Sequence, residues 1–168
     1  MGYLMYDGAV YRALKFKTEV NIWVAIGRTT AWTNEASPPV VTKTTKDITE
    51  AITYVRPVTV SLAKTAEDGD ITIDGVGYDL VADGLDDQDA RFLYLKTVFN
   101  PNLGQAYGDF RQIAVYADLD TATGHDADDW VNPSNVIDPG TLCYLHNDTV
   151  TLMSPVRTQT IELVLEFK

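Results

Sequence analysis

The sequence predicts an α+β domain that is predominantly β, built from several short antiparallel strands and two short helices. Three observations support this fold class. Runs of three to eight residues rich in β-branched and aromatic side chains recur along the chain, separated by turns rich in Gly, Pro and Asp. Only two segments show helix signals. The chain has 168 residues, of which 45% are hydrophobic and 22% charged, so we predict a single structural domain over residues 1–168.

Both predicted helices lie in the first third of the chain. Residues 6–20 contain no proline and place apolar residues at a rough three- and four-residue spacing, which indicates a short helix after Asp7. Asp47 is a favourable N-cap residue, and Glu50 follows three positions later as the partner of a capping box. This second helix is expected to cover residues 48–55 and to end there, because Pro57 cannot continue it.

The remaining elements are predicted strands. Residues 71–73 and 78–81 flank Asp74-Gly75, a dipeptide that favours a tight hairpin turn. The other strands are expected at residues 22–26, 58–62, 110–117, 142–145 and 160–167, and residues 92–98 form either a strand or the end of a helix that runs into one. The strand at residues 160–167 is apolar and could extend the sheet of a neighbouring chain.

Composition excludes several classes of protein. Twenty-four acids and thirteen bases give a net charge of −11, which repels nucleic-acid backbones and anionic membranes. No apolar run approaches the ~20 residues that cross a bilayer, and residues 1–10 lack the pattern of a secretory signal. Cys143 is the single cysteine, so neither an internal disulfide nor a multi-thiolate zinc site is expected.

No catalytic residue, cofactor site or metal site is predicted. Residues 118–129 form an acidic loop that could offer oxygen ligands to calcium, but its spacing does not match an EF-hand, which favours a solvated loop. Cys143 lies in an apolar run and is expected to be buried and inert, and His146 is expected in a turn. No serine stands in a nucleophile elbow. The protein is therefore predicted not to be an enzyme.

Trp32 is the aromatic residue whose place in the sequence does not suggest that it belongs to the hydrophobic core. It lies in a polar loop, residues 28–46, where Pro38-Pro39 imposes extended backbone. Such a ring either folds back onto its own domain or anchors a partner chain. The sequence leaves both possibilities open.

The arrangement of this segment resembles a known family. Tyr11-Arg12-Ala13 is followed by the strand 22–26, then by Gly-Arg, Trp and Asn-Glu ahead of Pro-Pro. This order is similar to the amino-terminal segment of baseplate wedge proteins of contractile-tailed bacteriophages of the T-even type, in a reduced form. The resemblance covers residues 1–62, and residues 63–168 form a β-rich remainder with a softer likeness to small tail proteins. The subunit-interface residues that we infer from the segment are Gly27, Arg28, Trp32, Asn34, Glu35, Pro38 and Pro39.

The resemblance implies a structural protein of the virion, made in the host cytoplasm and placed in the tail or baseplate. It implies contacts with tube, sheath and other baseplate proteins, and a homo-oligomer in a ring or another symmetric assembly. No nucleic acid, membrane or cofactor is expected as a partner. Two alternatives stay open: a head-to-tail connector or capsid decoration subunit, and a carbohydrate- or calcium-dependent binding module that uses residues 118–129 and Trp130.

Overall fold

A computed structural model describes residues 8–81 and 89–168. These residues form two compact units. The first unit contains residues 8–20, 58–81, 89–96 and 161–168, and the second contains residues 21–57 and 97–160. The prediction of one domain over residues 1–168 stays a prediction.

The described residues form one α-helix, twelve strands and two short 3₁₀ turns, in agreement with a predominantly β fold. The helix is α1, Gly8–Glu19. The strands are β1 Ile22–Gly27, β2 Thr53–Val55, β3 Thr59–Thr65, β4 Ile71–Ile73, β5 Val76–Val81, β6 Phe92–Phe99, β7 Phe110–Ala117, β8 Asp120–Thr121, β9 Trp130–Val131, β10 Val136–Asp138, β11 Thr141–Thr151 and β12 Gln159–Glu166.

The first unit is organised around a five-stranded sheet with the order β12-β6-β3-β5-β4. Its hairpin between β4 and β5 confirms the prediction at Asp74-Gly75, because Ile73 pairs with Val76 across a two-residue loop. Both loop residues have positive φ, 51° and 80°, as a type I′ turn requires. The edge strand β12 pairs with β6 of the same chain, and its extension of a neighbour's sheet stays a prediction.

Helix α1 belongs to the first unit and confirms the first predicted helix. It buries small and branched residues, Ala9, Val10 and Ala13, at the spacing of one helical face. The ring of Phe16 lies 5.5 Å from the ring of Phe167, just beyond β12. The first residue of α1, Gly8, directly follows Asp7, after which the sequence predicts the helix to begin.

The second unit contains a five-stranded sheet with the order β11-β7-β1-β2-β9 and a two-stranded ribbon of β8 and β10. Every residue of β1 is buried, as expected for its continuous run of β-branched, aromatic and small residues. β7 lies antiparallel to β1, with Val24 opposite Val115. Trp23 and Tyr116 form the centre of its core, together with Tyr54 and Val131.

The second predicted helix, residues 48–55, is wrong. Its last residues form β2, in which Tyr54 pairs with Ala25 of β1. The capping box does not form, because Glu50 has φ 49° and its carboxylate binds elsewhere in the chain. A helix here would remove a strand from the middle of the sheet, so long-range pairing overrides the local signal.

Two further predictions about β11 are also wrong. The register between β7 and β11 shifts between Leu142 and Tyr144, so Cys143 is a bulge residue and is exposed rather than buried. Partial desolvation of its sulfur nevertheless raises the pKa of the thiol. His146 lies within the strand, opposite Ile113, and not in a turn.

Candidate subunit-interface loop

Residues 28–52 connect two neighbouring antiparallel strands, β1 and β2, and are called the β1–β2 loop here. Antiparallel neighbours need only a short turn, and long irregular connections in compact proteins are commonly functional. All the interface residues inferred from the sequence lie in this loop, except Gly27, which precedes it.

Gly27 and Arg28 close the base of the loop. A Cβ atom on Gly27 would lie 2.7 Å from the carbonyl oxygen of Thr49, so only glycine allows the two ends to come this close. The backbone N–H of Arg28 donates to that same oxygen at 2.6 Å. Arg28 and Glu50 both have positive φ, 57° and 49°, which turns the chain sharply at each end.

The carboxylate of Glu50 fixes the start of the loop. It accepts hydrogen bonds from the Thr29 hydroxyl at 2.9 Å, the Thr30 N–H at 2.8 Å and the Thr30 hydroxyl at 2.6 Å. These donors, the Thr30 hydroxyl above all, lower the pKa of Glu50 from 4.5 to about 2. The carboxylate therefore stays ionised at any pH well above this lowered pKa of about 2, and it keeps the start and end of the loop joined.

Trp32 folds back onto its own unit, which is the first of the two orientations left open by the sequence. Its indole Nε1 donates to the carbonyl oxygen of Asp148 on β11 at 2.8 Å. The guanidinium carbon of Arg28 lies 3.9 Å from the ring centroid, within cation–π distance. The Trp32 ring is half-buried. Arg28 and Trp32, two of the predicted interface residues, thus hold the loop in place.

Glu35 and Asn34 organise the turn after Trp32. The Glu35 carboxylate accepts from the Trp32 N–H at 3.0 Å and from Arg111 Nε of β7 at 2.8 Å. Arg111 also donates to the Thr29 carbonyl oxygen at 2.7 Å. The Asn34 side chain accepts from the Ala36 N–H at 3.1 Å, which is an Asx turn.

A relay of amide groups joins Pro39 to the far end of the loop. Asn147 Nδ2 donates to the Pro39 carbonyl oxygen at 2.8 Å, and Asn147 Oδ1 accepts from Gln112 Nε2 at 2.8 Å. Gln112 Oε1 in turn accepts from the Thr49 N–H at 2.8 Å. Pro38 is half-buried and Pro39 is exposed.

The last part of the loop lies on the core of the second unit. The Tyr116 hydroxyl donates to the Asp47 carboxylate and accepts from the Ile48 N–H at 2.9 Å. Burial, together with the bond to Asp47, raises the pKa of the Tyr116 phenol. Burial also raises the pKa of Tyr54 to about 12. Asp47 is therefore bound to the sheet rather than to a helix N-terminus.

Sequence reasoning missed Arg111, Gln112 and Asn147, which bind the loop from β7 and β11. Each lies more than 30 positions from its partner in the chain, so no local spacing connects them. One signal was available: Gln112 is a polar residue within an apolar strand, and it is only 5% exposed. A buried amide needs partners, and a long polar loop can provide them.

The middle of the loop, residues 40–46, faces outward. Val40 is 89% exposed, the highest value among the large exposed hydrophobic residues. Lys43 and Lys46 are exposed and take part in no ion pair within the described part of the chain. The outward face of the loop is therefore apolar and basic, on a chain of net charge −11.

The acidic loop, residues 118–129, uses several of its carboxylates in contacts within the second unit. Asp118 accepts from the Asn21 N–H at 3.1 Å, and Asp126 accepts from the Thr121 hydroxyl at 2.9 Å. Asp128 lies 2.7 Å from Nδ1 of His125. Within residues 8–81 and 89–168, no three His, Cys, Asp or Glu side chains are grouped so that they could hold a metal ion.

Comparison with known proteins decides the family. Residues 1–167 match the protein family described as "Baseplate wedge 3 tail fiber network component". The chain belongs to this family. It is also 30% identical over 150 residues to virion protein 3 of Enterococcus phage phiEF24C, an alignment that covers 84% of this chain and 81% of the relative.

Membership confirms the predicted resemblance and extends it from residues 1–62 to nearly the whole chain. This member of the baseplate wedge 3 family is a structural protein of the phage virion, located in the baseplate, and its partners are other phage tail proteins. The family favours the baseplate over a head-to-tail connector or a capsid decoration subunit. Helix α1, the single α-helix among the described residues, is too short and too polar to cross a bilayer.

Proposed function

We propose that this chain is a wedge subunit of a contractile tail baseplate, and that its β1–β2 loop is a preformed contact surface for neighbouring tube, sheath or baseplate subunits. One observation supports this most directly. The loop is fixed to β7 and β11 by Arg111, Gln112 and Asn147, while Val40 and the two nearby lysines face outward.

Fixing a loop before binding reduces the conformational entropy that association would otherwise cost. The seven residues inferred from the sequence therefore divide into two roles in this proposal. Gly27, Arg28, Trp32, Asn34 and Glu35 shape and hold the loop from inside. Pro38 and Pro39 stiffen the backbone that leads to the outward face.

In this proposal the protein acts by assembling with other subunits and catalyses no reaction. Assembly fits a homo-oligomer in a ring or another symmetric arrangement, since closed symmetry repeats one contact in every subunit. The net charge of −11 supports protein partners rather than nucleic acid or anionic membrane, because phosphate groups are bound by clusters of Lys and Arg.

Immunogold electron microscopy of phage particles, with an antibody against this chain, tests the proposal. Gold at the distal tip of the tail is the expected result. Gold on the head or neck would move the protein to the connector or decoration class. Particles without label, with the chain free in the lysate, would overturn the structural role.

A further inference from the structure

The second unit has two exposed surfaces of opposite character. The first is the outward face of the β1–β2 loop, which we call the loop tip, residues 40–46. It contains Val40, Lys43 and Lys46, and no acidic residue lies between Glu35 and Asp47. An exposed apolar side chain beside lysines that form no ion pair within the described residues is suited to a partner that is acidic around an apolar centre.

The second surface is the ribbon of β8 and β10, which has that composition. Ile137 is 67% exposed, and Asp120 pairs directly with Asp138 across the two strands. Directly opposed residues share one face, and two like charges there destabilise the pair. Asp138 accepts a bond from the nearby Gly140 N–H, but neither carboxylate takes part in an ion pair within the described residues.

The stretch of sequence that contains the ribbon carries no lysine or arginine to neutralise it. Between Arg111 and Arg157 the sequence has seven aspartates and no lysine or arginine. Arg56 comes close to this region, but it donates to the backbone carbonyl oxygens of Asp126 and Asp128 and not to the ribbon carboxylates. A cationic side chain of another molecule can therefore pair with Asp120 and Asp138.

Strand register places the Val40 end of the loop tip and the ribbon at opposite ends of β7, while Lys46, at the other end of the tip, adjoins Asp47 and its contact with Tyr116. Pro39, next to the loop tip, is bonded to Asn147, which pairs with Gln112 near the start of β7. The ribbon begins just after Ala117, where β7 ends. Six residue steps along a strand correspond to about 20 Å. Val40 and Ile137 therefore cannot meet in one subunit, but two copies placed head to tail bring them together.

We propose that the loop tip of one copy docks on the β8–β10 ribbon of a second copy, with Val40 against Ile137 and Lys43 and Lys46 against Asp120 and Asp138. This head-to-tail contact rests on the proposed function, because it supplies the repeated interface of the symmetric assembly. A heterologous contact of this kind closes into a ring when the rotation between copies allows it.

Sedimentation velocity of the purified full-length protein over a range of concentrations tests the contact. The wild-type chain is expected to associate, and raising the salt concentration is expected to weaken association because exposed ion pairs are screened. Two variants reverse one surface each: the tip variant Lys43→Glu/Lys46→Glu and the ribbon variant Asp120→Lys/Asp138→Lys. Each alone is expected to weaken association by about tenfold, the equivalent of two exposed ion pairs.

Mixing the two variants supplies the decisive comparison. A glutamate tip meets a lysine ribbon in the mixture, and a native tip meets a native ribbon, so association is expected to recover. The control Glu67→Lys/Asp68→Lys changes the net charge as much as the ribbon variant, but on exposed residues of the first unit, and should associate like wild type. If the ribbon variant does not fold, Asp120→Lys alone replaces it.

Three results would overturn the contact: a wild-type chain that stays monomeric, tip and ribbon variants that associate like wild type, or a mixture that does not recover. The experiments distinguish a wrong head-to-tail contact from a wrong proposed function. A monomeric chain that is still incorporated at the tail tip retains the baseplate role but uses a different partner. A chain that associates but is absent from particles loses the baseplate role.

Discussion

Gln112 of β7 and Asn147 of β11 are register partners, and the Gln112 amide donates to the Asn147 side-chain oxygen at 2.8 Å. Through this one contact, the backbone of Thr49 at the end of the β1–β2 loop is connected to the backbone of Pro39 in its middle. The shape of the loop is therefore determined by side chains of the sheet and not only by the loop itself.

The first prediction concerns this pair. Asn147→Ala leaves the buried Gln112 amide and the Pro39 carbonyl without their partner, and should lower the free energy of unfolding by about 1–3 kcal/mol. Urea unfolding followed by tryptophan fluorescence measures it, because Trp23, Trp32 and Trp130 all lie in the second unit.

A double-mutant cycle isolates the contact between the two amides. Gln112→Ala combined with Asn147→Ala should show a coupling energy of about 0.5–3 kcal/mol. Gln105 provides the matched control, since it is equally buried and binds the Asn100 N–H elsewhere in the same unit. Gln105→Ala combined with Asn147→Ala should be additive. If Gln112→Ala and Asn147→Ala were additive as well, the Gln112–Asn147 bond would not connect the loop to the sheet.

The second prediction concerns Gly27. A methyl group there would press against the Thr49 carbonyl and the Ile48 side chain at 2.7 and 3.0 Å, so Gly27→Ala should destabilise the protein by about 1–3 kcal/mol. Gly108→Ala is the control, because among the described residues its added carbon meets only Ile52, at an ordinary 3.8 Å. Equal melting temperatures for the two variants would contradict the close approach at the base of the loop.

The third prediction is a pH dependence. The pKa of Glu50 is lowered in the folded state, so its stabilising effect is present above pH 4.5 and is lost as the pH falls toward 2. Glu50→Gln should therefore melt below wild type at neutral pH, and the difference should close between pH 4.5 and 2. Thermal unfolding monitored by circular dichroism measures it, with the exposed Glu67→Gln as control. A difference that is independent of pH would contradict the clamp on Thr29 and Thr30.

The fourth prediction separates the two contacts of Trp32. Trp32→Phe keeps a ring beneath Arg28 but removes the donor to Asp148, at a cost of about 0.5–1.5 kcal/mol. Trp32→Ala removes the cation–π contact as well and should cost about 0.5–1 kcal/mol more. Both variants should fold, as judged by circular dichroism, and Trp32→Ala should be incorporated poorly into particles. Normal incorporation would show that the fixed loop is not needed for assembly.

The fifth prediction addresses the calcium-dependent alternative. A site that binds only the folded protein would raise its stability by about 2.7 kcal/mol at a hundredfold excess over the dissociation constant. Because Asp118, Asp126 and Asp128 are engaged in local hydrogen bonds, we expect no change in melting temperature when calcium is added. An increase would reopen the interpretation of residues 118–129 as a cation site.

Local sequence predicted the elements whose determinants are local. The turn at Asp74-Gly75 follows from two adjacent residues that tolerate positive φ. Strands β1 and β7 follow from apolar runs that need no particular neighbour to be recognised. The sequence failed at Asp47 and Glu50, where a capping-box pattern lies in a segment that the sheet requires as strand and loop.

The orientation of the residues inferred to form the interface could not be predicted for the same reason. Trp32 is held by Asp148, 116 positions later, and Glu35 by Arg111, 76 positions later. Composition identified the loop as unusual, but the partners that hold it come together only when β7 and β11 pair. The sequence therefore located the loop, while the tertiary fold determines which of its residues face outward.

The bulge in β11 has a practical consequence. It exposes Cys143 in a chain that has no other cysteine, so a thiol-reactive probe modifies one known position of the natural sequence. Because the pKa of this thiol is raised, coupling should proceed faster in mildly alkaline buffer than at neutral pH. A gold cluster or fluorophore attached there would mark the position of this strand in an assembled particle.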